Sequence, residues 1–199
     1  MGKRHVFDTC MSNWKTPREG RRTAARAGLV ALAVAMSVLV TAGVSARGKG
    51  EVPAQLTPDQ QVAQLESMCA GAQEAMKARQ AQSSLYDRLG GRESIYVVVQ
   101  DVVQRHLKNE AIVRVMEGVD TDDLVVQVTD FLSAATGGDV TYTGRDMASS
   151  HAHLELTNAD FLAAGGDVEA AMAAAGVGPA EIQEVMCAFV SLRGEVVTK

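Results

Sequence analysis

The side chains with the widest chemical reach in this sequence are three of its four imidazoles, outside the N-terminal His5, and three thiols. His151 follows Met147 by four residues, so the two share one helical face that can be turned inward. His153, two positions on, must point elsewhere and is expected to be solvated. His106 sits on a valine-rich stretch where it could face either way. Taken alone, each histidine defaults to an ordinary satisfied or exposed role, and a ligand role needs further context. Cys10, Cys69 and Cys187 form no CxxC pair, which excludes the usual zinc and thioredoxin spacings. Cys187 lies in an apolar run and reads as a small buried hydrophobe. A Cys69–Cys187 disulfide is allowed in an oxidising compartment, but the sequence does not supply the distance it requires.

The elements that must position these groups are helical. Thr57-Pro58-Asp59-Gln60 is a well-formed helix start: Thr57 can cap, Pro58 suits the first turn, and Gln60 stands three residues after the cap. Val62, Leu65, Met68, Cys69, Ala72 and Met76 then follow at spacings of three and four, giving one apolar stripe to about Gln80. That helix is expected to lie against the following domain or against a second copy of itself. Ser84–Leu89 is a short helix stopped by Gly90-Gly91. Glu93 to about Lys108 contains Tyr96-Val97-Val98-Val99, a fair strand by propensity. Its apolar positions nevertheless continue past the run at helical spacing, and helix is the reading. Asp120 opens a third helix that ends near Gly137-Gly138, a short helix surrounds His151, and Thr157-Asn158-Ala159-Asp160 starts the next. Gly176–Pro179 separates that one from a last helix, Ala180 to about Val197.

Charge is distributed unevenly along the 199 residues. Residues 1–26 carry a net +5 and the remainder −10, so the body has no electrostatic footprint for nucleic acid. No charge interrupts Ala27–Ala46, arginines crowd its N-terminal side, and Val44-Ser45-Ala46 places small residues where a signal peptidase reads. Residues 1–46 are therefore expected to be a signal peptide or a membrane anchor, with the apolar length at the border of what spans a bilayer. This puts the rest of the chain outside the cytoplasm, periplasmic or secreted, with any inner-membrane attachment made through residues 27–46. Residues 47–83 form a linker and the amphipathic helix. Residues 84–199 form the main domain, whose core must come from Ala, Val, Leu and Met, since aromatics are only 4%.

That domain resembles the group 1 truncated haemoglobins. Ser84-Leu85-Tyr86-Asp87-Arg88-Leu89-Gly90-Gly91, then Gly137-Gly138, then Tyr142-Thr143-Gly144-Arg145-Asp146-Met147, then His151, match in order and spacing. Leu156-Thr157 with Phe161, and Ala174–Val177 with Pro179, extend the match, which covers about 115 residues. The resemblance implies an all-α, two-over-two helical sandwich around haem, with His151 as the protein ligand to iron. Val102, Val103, Met116, Leu124, Val128, Met147 and Phe161 are the residues it places against the cofactor.

The opposite face departs from the family pattern. Where many members carry a Phe-Tyr pair whose hydroxyl donates to the bound gas, this chain has Val102 and Val103. Val128 replaces a frequent glutamine, Met116 an aromatic wedge, and Gln127 a basic residue that pairs with a haem propionate. Leu124 is compatible with the pattern. A donor to a charged acceptor contributes about 1.5–3 kcal/mol, so its loss weakens oxygen retention by about one to two orders of magnitude. The reading is a haem globin that binds diatomic gases (O2, CO, NO) in an apolar distal pocket. The alternative is a haem-less globin-fold module with a structural or interaction role outside the cytoplasm. Nitric oxide dioxygenase activity is disfavoured by the missing donors, and no nucleophile–base pair or paired carboxylates appear in the matched motif.

Overall fold

The computed structural model describes residues 55–199. The expected signal or anchor, residues 1–46, lies outside them. Among the described residues no helix is long and apolar enough to cross a membrane, and all regular structure is helical.

Helix α1 spans Pro58–Gln82 and starts as its sequence dictates. The Gln60 amide donates to Thr57 Oγ1 at 3.3 Å and the Thr57 amide to Gln60 Oε1 at 2.9 Å, closing a capping box. Two short segments follow its C-cap: α2, Leu85–Arg88, and a turn through Gly90, whose φ of 85° is a backbone conformation that glycine adopts without steric cost. Helix α3, Gly91–His106, includes the valine run, and Ile95, Val99, Val102 and Val103 are its buried residues. The strand alternative loses because these positions recur at three and four, so one helical face collects them all. A 3₁₀ turn, Val113–Met116, leads to α4, Thr121–Ala135, capped by the Asp120 carboxylate at the Asp122 and Asp123 amides.

After α4 the chain crosses a loop to α5, Met147–His151, and a 3₁₀ turn, Ala152–Leu154. Helices α6, Asn158–Ala174, and α7, Pro179–Ser191, complete the domain with a short α8, Arg193–Val196. The expected single last helix is thus broken at Leu192. There the hydrogen bond shortens to the i−3 carbonyl of Phe189 (3.1 Å), the tight geometry that ends many helices.

Two helix pairs make the architecture: α3 packs on α4, α6 on α7, and α3 crosses onto α6. The α3–α4 core comprises Ile95, Val99, Val103, Met116 and Val125. Gly138 permits the chain to leave α4 tightly: an added Cβ would lie 2.8 Å from the Ser133 carbonyl oxygen and from the Tyr86 ring. The Gly138 amide donates to that carbonyl at 2.8 Å.

The N-terminal part of the stripe on α1 is spent within the chain, whereas Met68 stays exposed. Val62 and Leu65 enter a cluster with Phe161 and Val190, so α1 covers α6 and α7, the first of the two expected arrangements. Cys69 is bonded to Cys187 across 118 residues, with Cα atoms 5.4 Å apart. At the far end of α1, the buried Glu184 carboxylate on α7 receives Arg79 from α1 and Arg88 from α2, the latter at 2.5 Å. Arg88 also reaches Glu181 at 2.6 Å. Burial by itself would depress the Arg88 guanidinium, but the hydrogen bonds and charges of Glu184 and Glu181 carry it above its ordinary value.

Candidate functional site

His151 closes the one-and-a-half-turn helix α5, and its half-buried ring is oriented by a single bond. His151 Nδ1 lies 2.8 Å from the carbonyl oxygen of Met147. A carbonyl oxygen can only accept, so Nδ1 carries a proton, and in the neutral ring Nε2 is the nitrogen left with a lone pair. This is the tautomer a metal requires, held by the backbone one turn earlier. Met147 therefore contributes through its carbonyl. Asp146 caps α5 by accepting from the Ser149 amide at 2.7 Å, which fixes where the turn begins.

The other two histidines among the described residues separate clearly. His153 is exposed. His106, ambiguous from sequence, turns toward α6, where its Nδ1–H donates to Asp167 Oδ2 at 2.8 Å beside the Asn109 amide at 3.0 Å. It is a tie between α3 and α6.

Of the seven residues expected against a cofactor, four come together directly. Val103 and Met116 belong to the α3–α4 core, and Leu124 and Val128 pack against it. Val102 joins Val128 across an apolar cavity of ≈ 70 Å³ between α3, α4, α6 and α7, walled also by Val99, Leu132 and Met172. The Thr136 hydroxyl borders this cavity but donates to the Leu132 carbonyl at 2.6 Å, so it offers the interior no proton. Phe161 is not brought to these residues. Its ring is buried and stacked on Phe189, centroids 4.6 Å apart, in the cluster that α1 seals. Val62 and Leu65 give Phe161 apolar partners on the side facing α1.

Phe131, on the apolar run of α4, was not among the expected site residues. It lies on the Leu124–Val128 face of α4 and meets Tyr142 edge-on at 5.3 Å and 75°, linking α4 to the loop that leads into α5. The i, i+4, i+7 spacing from Leu124 was the available signal. Gln127, in the place expected to be basic, makes only a long contact of 3.5 Å with Asp123. Arg114 on the 3₁₀ turn pairs with Asp160 at 2.7 Å. Burial would raise the Asp160 carboxyl, but the Thr157 backbone and hydroxyl and the Arg114 charge outweigh it and hold the carboxyl below its ordinary value.

Two crossed helix pairs with a histidine on a short separate helix are the arrangement of a globin. The family model for bacterial-like globins matches residues 84–198, and the chain belongs to that family. A group 1 truncated hemoglobin, GlbN, of Mycolicibacterium paratuberculosis is 33% identical over 116 residues, covering 58% of this chain and 85% of the relative. The group 1 truncated hemoglobin of Tetrahymena pyriformis is 30% identical over 101 residues, covering 51% and 84%. The crystal structure of truncated hemoglobin from Tetrahymena pyriformis in the Fe(III) form superposes with a TM-score of 0.55 at 27% identity, covering 59% of this chain and all of that one. The 2/2 hemoglobin of Synechococcus, solved in the cyanomet state with covalently attached heme, gives a TM-score of 0.55 at 26% identity with the same coverage.

Proposed function

We propose that this protein is a haem-binding globin in which His151 ligates the iron and a diatomic gas binds on the opposite, aliphatic face. The observation that carries the reading is the Met147 carbonyl fixing the His151 tautomer, which leaves Nε2 as the only free nitrogen on the ring. The bound haem would supply an iron able to take O2, CO or NO. The chain's own part is threefold. His151 holds the metal from one side. Val102, Val103, Leu124 and Val128 exclude water from the other. The cavity shared by Val102 and Val128 gives a small uncharged ligand an apolar route or resting place.

The positions that match the family's tyrosine and glutamine supply no donor. Val102, Val103 and Val128 carry none, and the buried Thr129 hydroxyl donates to its own helix at the Val125 carbonyl, 2.7 Å away. The consequence is discrimination. Oxygen, which becomes charged on binding, loses its stabilising partner, whereas carbon monoxide, being less polar, loses less. Oxygen-dependent nitric oxide turnover is correspondingly weak in this reading. A compartment outside the cytoplasm is part of the proposal, supported by the charge pattern of residues 1–46 and by the Cys69–Cys187 bond, which persists where thiols are oxidised.

The test is haem titration of the purified chain beside His151→Gly. A histidine-ligated absorption spectrum in the parent, lost in the variant and restored by added imidazole, supports the assignment. Absence of that spectrum in the parent leaves the haem-less module as the reading, which the missing distal donors and the uncharged Gln127 would favour.

A further inference from the structure

The segment that carries His151 cannot hold itself. From Gly137 to Glu155 not one residue is buried, and neither α5 nor the 3₁₀ turn after it contributes to a core. Such a stretch takes its position from ties to its neighbours. On the N-terminal side these are the Gly138–Ser133 bond and the Phe131–Tyr142 contact.

On the C-terminal side the ties come from the far end of the domain. Glu155 adopts a left-handed backbone, φ 50°, which is strained for a residue with a side chain and persists only where its surroundings enforce it. The next residue, Leu156, is buried, and its carbonyl oxygen accepts two amides, Thr198 at 3.0 Å and Lys199 at 3.1 Å. Lys199 Nζ meets the Glu155 carboxylate at 2.5 Å. Helix α8 packs against α5 itself. It is anchored in turn by Val196 and Val197 against the cluster of Val62, Phe161 and Val190, and by Arg193, which donates to Asn158 at 2.6 Å and pairs with Glu66 of α1 at 3.7 Å.

We propose that Arg193–Lys199 is a positioning element for His151, fixing the proximal segment through the doubly bonded Leu156 carbonyl and the packing of α8 on α5. The proposal rests on the haem reading of His151. Only four residues separate His151 from Leu156, three of them in a tight 3₁₀ turn, so slack at Leu156 is transmitted to the imidazole.

The variant that tests it is Thr198→Pro with Lys199→Pro. It removes both amide donors and the ammonium while leaving Val196 and Val197 in place. Val197, at φ −82° and ψ 122°, already has the backbone that a following proline demands. In the haem-loaded full chain, resonance Raman spectroscopy of the ferrous form is expected to show a shifted or broadened iron–histidine stretch. Haem loss to an acceptor globin should run about tenfold faster. In the haem-free full chain, amides 147–156 are expected to lose about tenfold of their hydrogen-exchange protection. Lys199→Met, which removes only an exposed ion pair, should do far less on every readout.

An unchanged iron–histidine band overturns the proposal, even if exchange protection falls, because the tail would then order the segment without placing the ligand. If the parent chain takes up no haem, the haem reading fails separately and the exchange experiment decides the brace. Lost protection then supports the brace, and unchanged protection overturns it.

Discussion

Opening the Cys69–Cys187 bond perturbs one defined connection, the covalent fastening of α1 to α7. The bond closes a loop of 118 residues. Loop-closure entropy for that length amounts to about 5 kcal/mol at 25 °C in the chain-entropy model, and removal of such bonds from small secreted domains typically costs about 2–5 kcal/mol. The described unit is roughly 145 residues long, for which about 2.1 cal/mol/K per residue converts each kcal/mol into about 3 °C of melting temperature. The expected outcome for Cys69→Ser with Cys187→Ser is therefore a melting temperature lower by about 7–16 °C. Native far-UV circular dichroism should be kept at 20 °C, because Val62 and the Arg79–Glu184 pair still hold both ends of α1. Scanning calorimetry on haem-free protein, repeated with and without a dithiol reductant, reads this directly, and mass spectrometry of non-reduced peptides confirms the bond. A reduced protein melting within about 2 °C of the oxidised one would refute the reasoning, since α1 would then be fastened by its non-covalent contacts alone.

Other consequences follow from the same geometry. Glu184→Ala leaves Arg79 and Arg88 without their shared buried carboxylate and is expected to cost about 3–5 kcal/mol, measurable by urea titration. Asp160 has its native pKa lowered, so its stabilisation is present above the ordinary carboxylate range and is lost as pH falls through the lowered native value. Melts of Asp160→Asn against the parent should therefore differ most near neutrality, by about 1–2 kcal/mol, and converge in acid. Val103→Tyr restores a hydroxyl at the family's donor position and, despite about 1–3 kcal/mol of overpacking, should slow oxygen dissociation by about one to two orders of magnitude in stopped-flow measurements while changing carbon monoxide release less.

The reading of α1 shows how a pattern can be right and its partner undecided. Thr57, Pro58 and Gln60 act within one turn of each other, so the helix start is visible in five letters. Whether its apolar stripe meets its own domain or another copy depends on residues about a hundred positions away, Phe161 and Val190, and no local spacing encodes that choice. Phe161 shows the reverse case. Its position in the family motif suggested the cofactor side, but no local spacing foretold that Val62, Val190 and Phe189 would be its neighbours.

For the candidate site itself, the sequence alone determined that His151 stands four residues after Met147 on a short helix and that valines replace the donors on the other side. Helical geometry makes both statements local, since a ring nitrogen can reach the i−4 carbonyl within a single turn. Tertiary structure alone decided where that turn is held. The buried Leu156 carbonyl, the two amides of Thr198 and Lys199, and the α1 disulfide that backs α7 join residues more than forty apart in sequence. Such pairings carry no periodic signature, because a hydrogen bond between distant chain segments constrains distance in space and leaves the spacing between its partners free.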